Sequence, residues 1–292
     1  MYRQQSLITL DQFYEMKPLS KLEALLSFID YSLFEEVFPY DAHRRGPKGY
    51  SKKQLFTTLM AMPVEQLSDI KALVTRLKSD PVLRRSLGYD YIENTPSAAT
   101  LNRFITLLSG TDILARTFRR MVCKARKLGL IDGTNVAIDA SKLTAYEHAV
   151  PKSRIPVDDP SFPNWGGKLD TNGNFIKWFG WKMHALVDTY SGLPISYIIT
   201  PANIADMDVA ENLIQKMMDD YENGLTPKYY MMDAGYDKPD LYASVYKKFH
   251  GQAIIPINWR NTKIPPEGIN MNGQLVCPMN YAYVYGGNDN GT

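Results

Sequence analysis

Gly133-Thr-Asn-Val-Ala-Ile-Asp-Ala-Ser141 decides the fold, because here a chain that has run in the helical period switches to the two-residue period of a β-strand. The run Val136 to Ser141 is apolar and carries one acid, Asp139. Downstream, Lys177 to Asp188 alternates: Phe179, Trp181, Met183, Ala185 and Val187 share one face, and Lys182, His184 and Asp188 the other. The polar set reads as a solvated face or as a contact for substrate phosphate. Tyr190-Ser-Gly192 is a turn into a hairpin partner, Leu193 to Thr200. A helix from Asp206 to about Tyr221, a strand Lys228 to Asp233, a helix Pro239 to Phe249 and a strand Ala253 to Pro256 follow. The order ββ-β-α-β-α-β predicts a mixed sheet with helices packed on it, an α/β (α+β) fold. Pro151 to Asn174, rich in Pro, Asp, Asn and Gly, reads as a loop excursion, and Asn258 to Thr292 as irregular.

Upstream of Gly133 the spacing is helical. Leu22, Leu25, Leu26 and Ile29 fall at i, i+3, i+4 and i+7, and Ile70, Leu73, Val74 and Leu77 repeat the pattern. Ser51 with Gln54 forms a capping box before Leu55, Leu59 and Met62, in a helix ending at Pro63, and Ser97 caps another through Leu101, Phe104 and Leu108. A longer helix runs from about Asp112 to Lys127 and stops at Gly129, with Leu114, Phe118, Met121 and Ala125 inward.

Composition bounds the function. The 292 residues are 45% hydrophobic and 22% charged, enough apolar content for a globular core and too much for a disordered chain. Nothing approaches the roughly 18 consecutive apolar residues of a membrane helix, and the N-terminus lacks a signal-peptide apolar region, so a cytoplasmic protein without membrane association is expected. Two cysteines, Cys123 and Cys277, exclude a disulfide framework or a four-cysteine zinc site within the chain. Net charge is +2, yet residues 1–131 carry 20 Lys+Arg against 13 Asp+Glu (+7) and residues 132–292 carry 13 against 18 (−5). A basic first part suits a polyanion and an acidic remainder suits a carboxylate site.

Two acids stand out. Asp139 sits in an apolar strand, where an unpaired buried carboxylate costs several kcal/mol, so it either faces solvent, pairs with Lys142 or Lys182, or serves chemistry. Asp233 closes the apolar strand Tyr229 to Met232 at its carboxyl end, where α/β sheets bind ligands. Asp237, before Lys238-Pro239, is the better placed to cap a helix. Carboxylates at the ends of neighbouring strands can hold two Mg²⁺ about 3.5–4 Å apart for phosphodiester chemistry. Asp206 falls at a helix N-terminus that favours a carboxylate. Arg116, Arg120, Lys124 and Lys127 form one helix stripe suited to phosphates or simply to solvent, and Asn102 and Arg103 stand near the start of a helix that could address bases or phosphates, or belong to a plain helical bundle.

The motifs Val136-Ala-Ile-Asp-Ala-Ser-Lys-Leu143, Trp178-Phe-Gly-Trp-Lys-Met-His184 with Val187-Asp188, Ser191-Gly-Leu-Pro194, Thr200-Pro-Ala-Asn-Ile-Ala-Asp206 and Met232-Asp-Ala-Gly-Tyr-Asp237, in this order, resemble the DDE transposases of bacterial insertion sequences. The resemblance extends upstream through Arg45-Gly-Pro-Lys-Gly-Tyr50, Val64-Glu-Gln66 and Pro96-Ser97 to Arg103-Phe104. It implies a helical DNA-binding region (1–131), a ribonuclease H-like catalytic core (132–258) and an irregular tail (259–292). It also implies Asp139 and Asp233 as catalytic, metal-holding carboxylates, with Mg²⁺ or alternatively Mn²⁺ as cofactor. Lys182 joins Asn102, Arg103, Arg116, Arg120, Lys124 and Lys127 as candidate DNA contacts. The partners implied are DNA, as transposon ends and target, and a second copy in a homo-oligomer; the activity implied is strand cleavage and transfer.

The family's third carboxylate is a Glu on a helix after the last core strand, in a Tyr-x-x-Arg-x-x-x-Glu-like segment, and nothing here matches it. The only Glu after Asp233 is Glu267, in the turn-like Pro265-Pro-Glu-Gly268. Cys277-Pro278 and Tyr285-Gly-Gly287 resemble the opening of an insertion that precedes that helix. The expectation is a C-terminally truncated member with an incomplete core; its alternative is an inactive DNA-binding remnant.

Overall fold

A computed structural model describes residues 8–39, 49–90, 94–156, 159–169, 172–221, 224–258, 265, 267–270 and 274–283. Arg45 to Lys48 and Tyr285 to Gly287, named above, lie outside the described residues. The chain divides into two compact units, Met1–Lys124 and Ala125–Thr292.

The first unit is helical. Its helices are α1 (Leu10–Met16), α2 (Lys21–Phe28), α3 (Ser32–Val37), α4 (Lys52–Val64), α5 (Ile70–Ser79), α6 (Pro81–Ser86), α7 (Ala98–Ser109) and α8 (Ile113–Lys127), the last running just past the division. Ser51 and Gln54 close the expected capping box on α4, Ser97 accepts from Thr100 N at 3.2 Å on α7 as expected, and Asp69, not singled out above, accepts from Ala72 N at 2.8 Å on α5. Leu22, Leu26, Leu55, Leu73, Leu101 and Phe104 meet in one core. The phase of α8 differs from the expectation. Leu114 is 46% exposed, and Ile113, Thr117, Val122 and Ala125 carry the buried face. Ala125 is inward as expected, but the first turns of the helix are inward one position earlier, at Ile113 and Thr117, and Ile113 joins the core of α2, α4 and α7.

The second unit is built on a six-stranded sheet of β1 (Asn135–Thr144), β2 (Asn164–Leu169), β3 (Phe175–Asp188), β4 (Pro194–Pro201), β5 (Tyr229–Met232) and β6 (Gln252–Ile254), with α9 (Met207–Asp220) and α10 (Pro239–Lys247) between the later strands. The path β4-β3-β1-β5-β6 is antiparallel across its first three strands and parallel from β1 to β6, which is the ribonuclease H-like arrangement. Both crossovers, β4 to β5 through α9 and β5 to β6 through α10, step the same way along the sheet, so right-handed connections put both helices on one face. Under them lie Val136, Ile138, Leu186, Tyr230 and Met232, all buried.

Two readings are corrected. The excursion 151–174 contains β2, which pairs antiparallel with β3 from Asn164↔Gly180 to Leu169↔Phe175. Its Trp165-Gly-Gly interior lacks alternation, so the strand shows only once β3 supplies a partner. In β3, the polar face is the buried one over its second half: His184 is 1% and Asp188 0% exposed, whereas Met183, Ala185 and Val187 are only half-buried. Asp188 tolerates this because Gly133 N, Ser191 N and Ser191 Oγ donate to it at 2.8, 2.9 and 2.7 Å, holding its carboxyl below the usual range although burial alone pushes it up.

Candidate functional site

The parallel register of β1 and β5 ends at Ile138↔Met232, both side chains under the helices. The residues that follow are Asp139 on β1 and Asp233 just past the end of β5, which the register brings next to each other in the sheet order. Both are exposed. Asp139 lies on a central strand, opposite Ala185 of β3, and takes Ala140 N on Oδ1 at 2.7 Å. Asp233 Oδ1 accepts from Gly235 N at 2.9 Å, capping the short turn Ala234–Tyr236. Asp237, expected to cap α10, instead accepts from Asn258 N at 2.8 Å and ties the chain after β6 to the turn; the residue at the helix start is Lys238, which makes no side-chain cap. Each carboxylate of the pair thus keeps one oxygen free of a protein donor among the described residues.

Behind the pair lies a second group. Lys182 Nζ donates to Asp206 Oδ1 at 2.8 Å and to Ile204 O at 2.9 Å, pinning the turn between β4 and α9. Asp206 precedes α9 in helical conformation but does not cap it; its carboxylate is spent on Lys182. His184 Nε2 meets Thr200 Oγ1 at 2.9 Å, and its Nδ1, 3.9 Å from Asp206 Oδ1, has no hydrogen-bond partner among the described residues. Burial pushes this imidazole below the usual histidine value, against the pull of Asp206, so it is neutral at pH 7.

Tyr236, which sequence reasoning passed over, connects the two groups. It is 1% exposed, and its hydroxyl is buried without a hydrogen-bond partner among the described residues. Burial raises its pKa, and Asp206, Asp139 and Asp233 raise it further, so it keeps its proton and is a donor facing three anions. The only sequence signal was an aromatic residue three places after a strand-end acid.

The remaining candidates separate by what already holds them. Arg116 pairs with Glu36 at 2.6 Å, Arg120 with Asp30 at 2.6 Å, and Lys124 donates to Phe28 O at 2.8 Å. Lys182 is half-buried and paired with Asp206 rather than presented outward. Asn102, Arg103 and Lys127 are exposed, with Arg103 Nη2 3.5 Å from Thr100 Oγ1. Glu267 sits in a turn, outside any helix. Among the described residues no group of three or more His, Cys, Asp or Glu is arranged to hold a metal. Two exposed hard oxygen donors on adjoining strands fit a divalent cation that keeps water on its other positions. Among those same residues no helix is long and apolar enough to cross a membrane.

Residues 125–271 match the family described as Transposase DDE domain, and residues 8–107 the family described as Transposase domain (DUF772). No curated protein matches the chain. Among solved structures, the chain is similar to a cryo-EM structure of the piggyBac transposase synaptic complex with hairpin DNA, with a TM-score of 0.38 and 12% identity over 83% of this chain and 50% of that one. It is also similar to the crystal structure of the Mos1 strand transfer complex, with a TM-score of 0.26 and 8% identity over 85% of this chain and 71% of that one. The chain spans half the length of the first of these.

Proposed function

The chain belongs to the DDE-domain transposases, and we propose that it binds insertion-sequence ends and acts in strand cleavage and transfer through a divalent-cation site on Asp139 and Asp233. The observation that carries this is the β1–β5 register, which brings an exposed carboxylate on the central strand β1 next to one just past the end of β5. Members of this family use divalent ions; we take the ion here as Mg²⁺, with Mn²⁺ as substitute, and the setting as cytoplasmic. Such a cation would polarise a phosphodiester and favour deprotonation of an attacking hydroxyl. The chain's own part is to present the carboxylates without ion pairs among the described residues and to hold the end of β5 through the Asp233 turn. The helical residues 1–131 serve as the DNA-binding region in this reading, residues 132–258 as the catalytic core and 259–292 as a tail.

The test is nicking of a supercoiled plasmid bearing the element's ends in Mg²⁺. Cleavage lost in both Asp139→Asn and Asp233→Asn supports the reading, and cleavage surviving either one overturns it. A second reading, a chain that binds DNA without cutting, is favoured by the lack, among the described residues, of a third carboxylate grouped with the pair. It predicts end binding with no nicking in the parent chain.

A further inference from the structure

A groove of about 610 Å³ opens at the start of β5 and β6, on the second unit. Two basic-aromatic stretches, Lys228-Tyr229 and Tyr246 to His250, meet there because β6 pairs parallel with β5, Tyr229 opposite Gln252, and Gln252 N donates to Lys228 O at 2.8 Å. The neighbouring rings of Tyr230 and Phe249 are buried as anchors, which leaves Tyr246 70% and Tyr229 39% exposed along the groove. Its floor is fixed. His250 has a φ of 55°, unusual for a residue with a side chain, and Gly251 follows where a Cβ would stand 2.5 Å from the Tyr230 ring.

The charge here is unmatched. Lys216, Lys238 and Lys248 of the same unit have Asp220, Asp208 and Glu211 as partners, but Lys228 and Lys247 form no ion pair among the described residues. Two open ammonium groups beside two open phenol rings, in a segment of net charge −5, are the elements that grip an unpaired nucleic-acid strand: cations for its phosphates and π-faces for its bases. A duplex hides its base faces, and a small anion leaves the tyrosines without a task.

We propose that this groove binds an unpaired nucleic-acid strand, at a site distinct from the carboxylate pair. Tyr229 is four residues from Asp233, about 13 Å along the strand, so one phosphate cannot occupy both. The binding does not depend on the cleavage reading, and an Asp233→Asn chain retains it.

The test uses the full chain and a 5-bromodeoxyuridine-substituted single strand, irradiated and mapped by peptide mass spectrometry, with anisotropy titrations across NaCl concentrations. Crosslinks are expected in the peptides carrying Tyr229 or Tyr246. Lys228→Gln with Lys247→Gln should weaken binding about tenfold at low salt and reduce the salt slope by about 1.4, near 0.7 per lost phosphate contact. Tyr246→Ala should weaken binding roughly fivefold or more with the slope unchanged. All three side chains project into the groove, so thermal melts should match the parent. Crosslinks confined to residues 1–124, a neutral Tyr246→Ala, or a duplex competing as well as the single strand would each overturn the proposal.

Discussion

Tyr236, buried, and Glu23, half-buried, put polar side chains to opposite uses. A buried hydroxyl left without a partner costs about 1–3 kcal/mol, and the Tyr236 oxygen is in that position beneath the carboxylates. Tyr236→Phe should therefore leave the fold as stable as the parent or more stable by about 1 kcal/mol in urea denaturation; a clear loss would mean that the hydroxyl is bonded in solution. Glu23 is the satisfied case. Burial pushes its carboxyl up, but Lys17 at 2.7 Å, Tyr14 and Ser20 donate to it and bring it down to about 2. Since the folded value lies below the ordinary 4.5, the stabilisation is present above pH 4.5 and drains away as pH falls toward 2. Glu23→Gln should cost on the order of 2 kcal/mol at pH 7, with the gap to the parent narrowing by pH 3. A pH-independent gap would assign the effect to packing. Single residues were legible in proportion to how far they broke a pattern: one acid in an apolar strand marks Asp139, whereas Tyr236 looks like any core aromatic until its oxygen is located.

Among the elements, β3 organises the second unit, and its tightest point is Gly180. There φ is 154°, and a Cβ would lie 2.1 Å from Leu143 O and 2.7 Å from Ala145 N. Both are backbone atoms of the β1 end, so no rotamer change relieves the clash. Gly180→Ala should cost about 3 kcal/mol, read as a lowered urea midpoint, because the Thr144↔Gly180 end of the ladder must part. A variant within about 0.5 kcal/mol of the parent would show that the strands approach less closely. The alternation of β3 was plain in sequence, but its inward face was not. Periodicity says which residues share a face, and the sense of the α9 and α10 crossovers decides which face is covered. The helix α8 shows the same limit: its period was legible, its phase waited on the core that Ile113 enters. The strand β2 had no period of its own and exists through β3.

At the scale of the molecule, the charge split of +7 over residues 1–131 and −5 over the remainder could be counted from sequence, but counting overstates the cations available to DNA. The structure sorts them. Arg116 and Arg120 are matched by Glu36 and Asp30, while Arg103 on α7 and Lys127 at the end of α8 face solvent without an ion pair among the described residues. Releasing a matched arginine to a phosphate strands its carboxylate and returns little, and an exposed pair of this kind is worth about 0–1 kcal/mol to the fold in any case. Binding of the full chain to an end-bearing duplex should weaken steeply as salt rises, and each phosphate contact removed should lower the slope of log affinity against log salt by about 0.9. Arg103→Ala is expected to show that loss, and Arg120→Ala to leave both the slope and the affinity near the parent value. Equal losses in the two variants would mean that the α8 stripe opens its ion pairs to reach DNA, and that the face presented to the duplex is the one the sequence suggested before its partners were known.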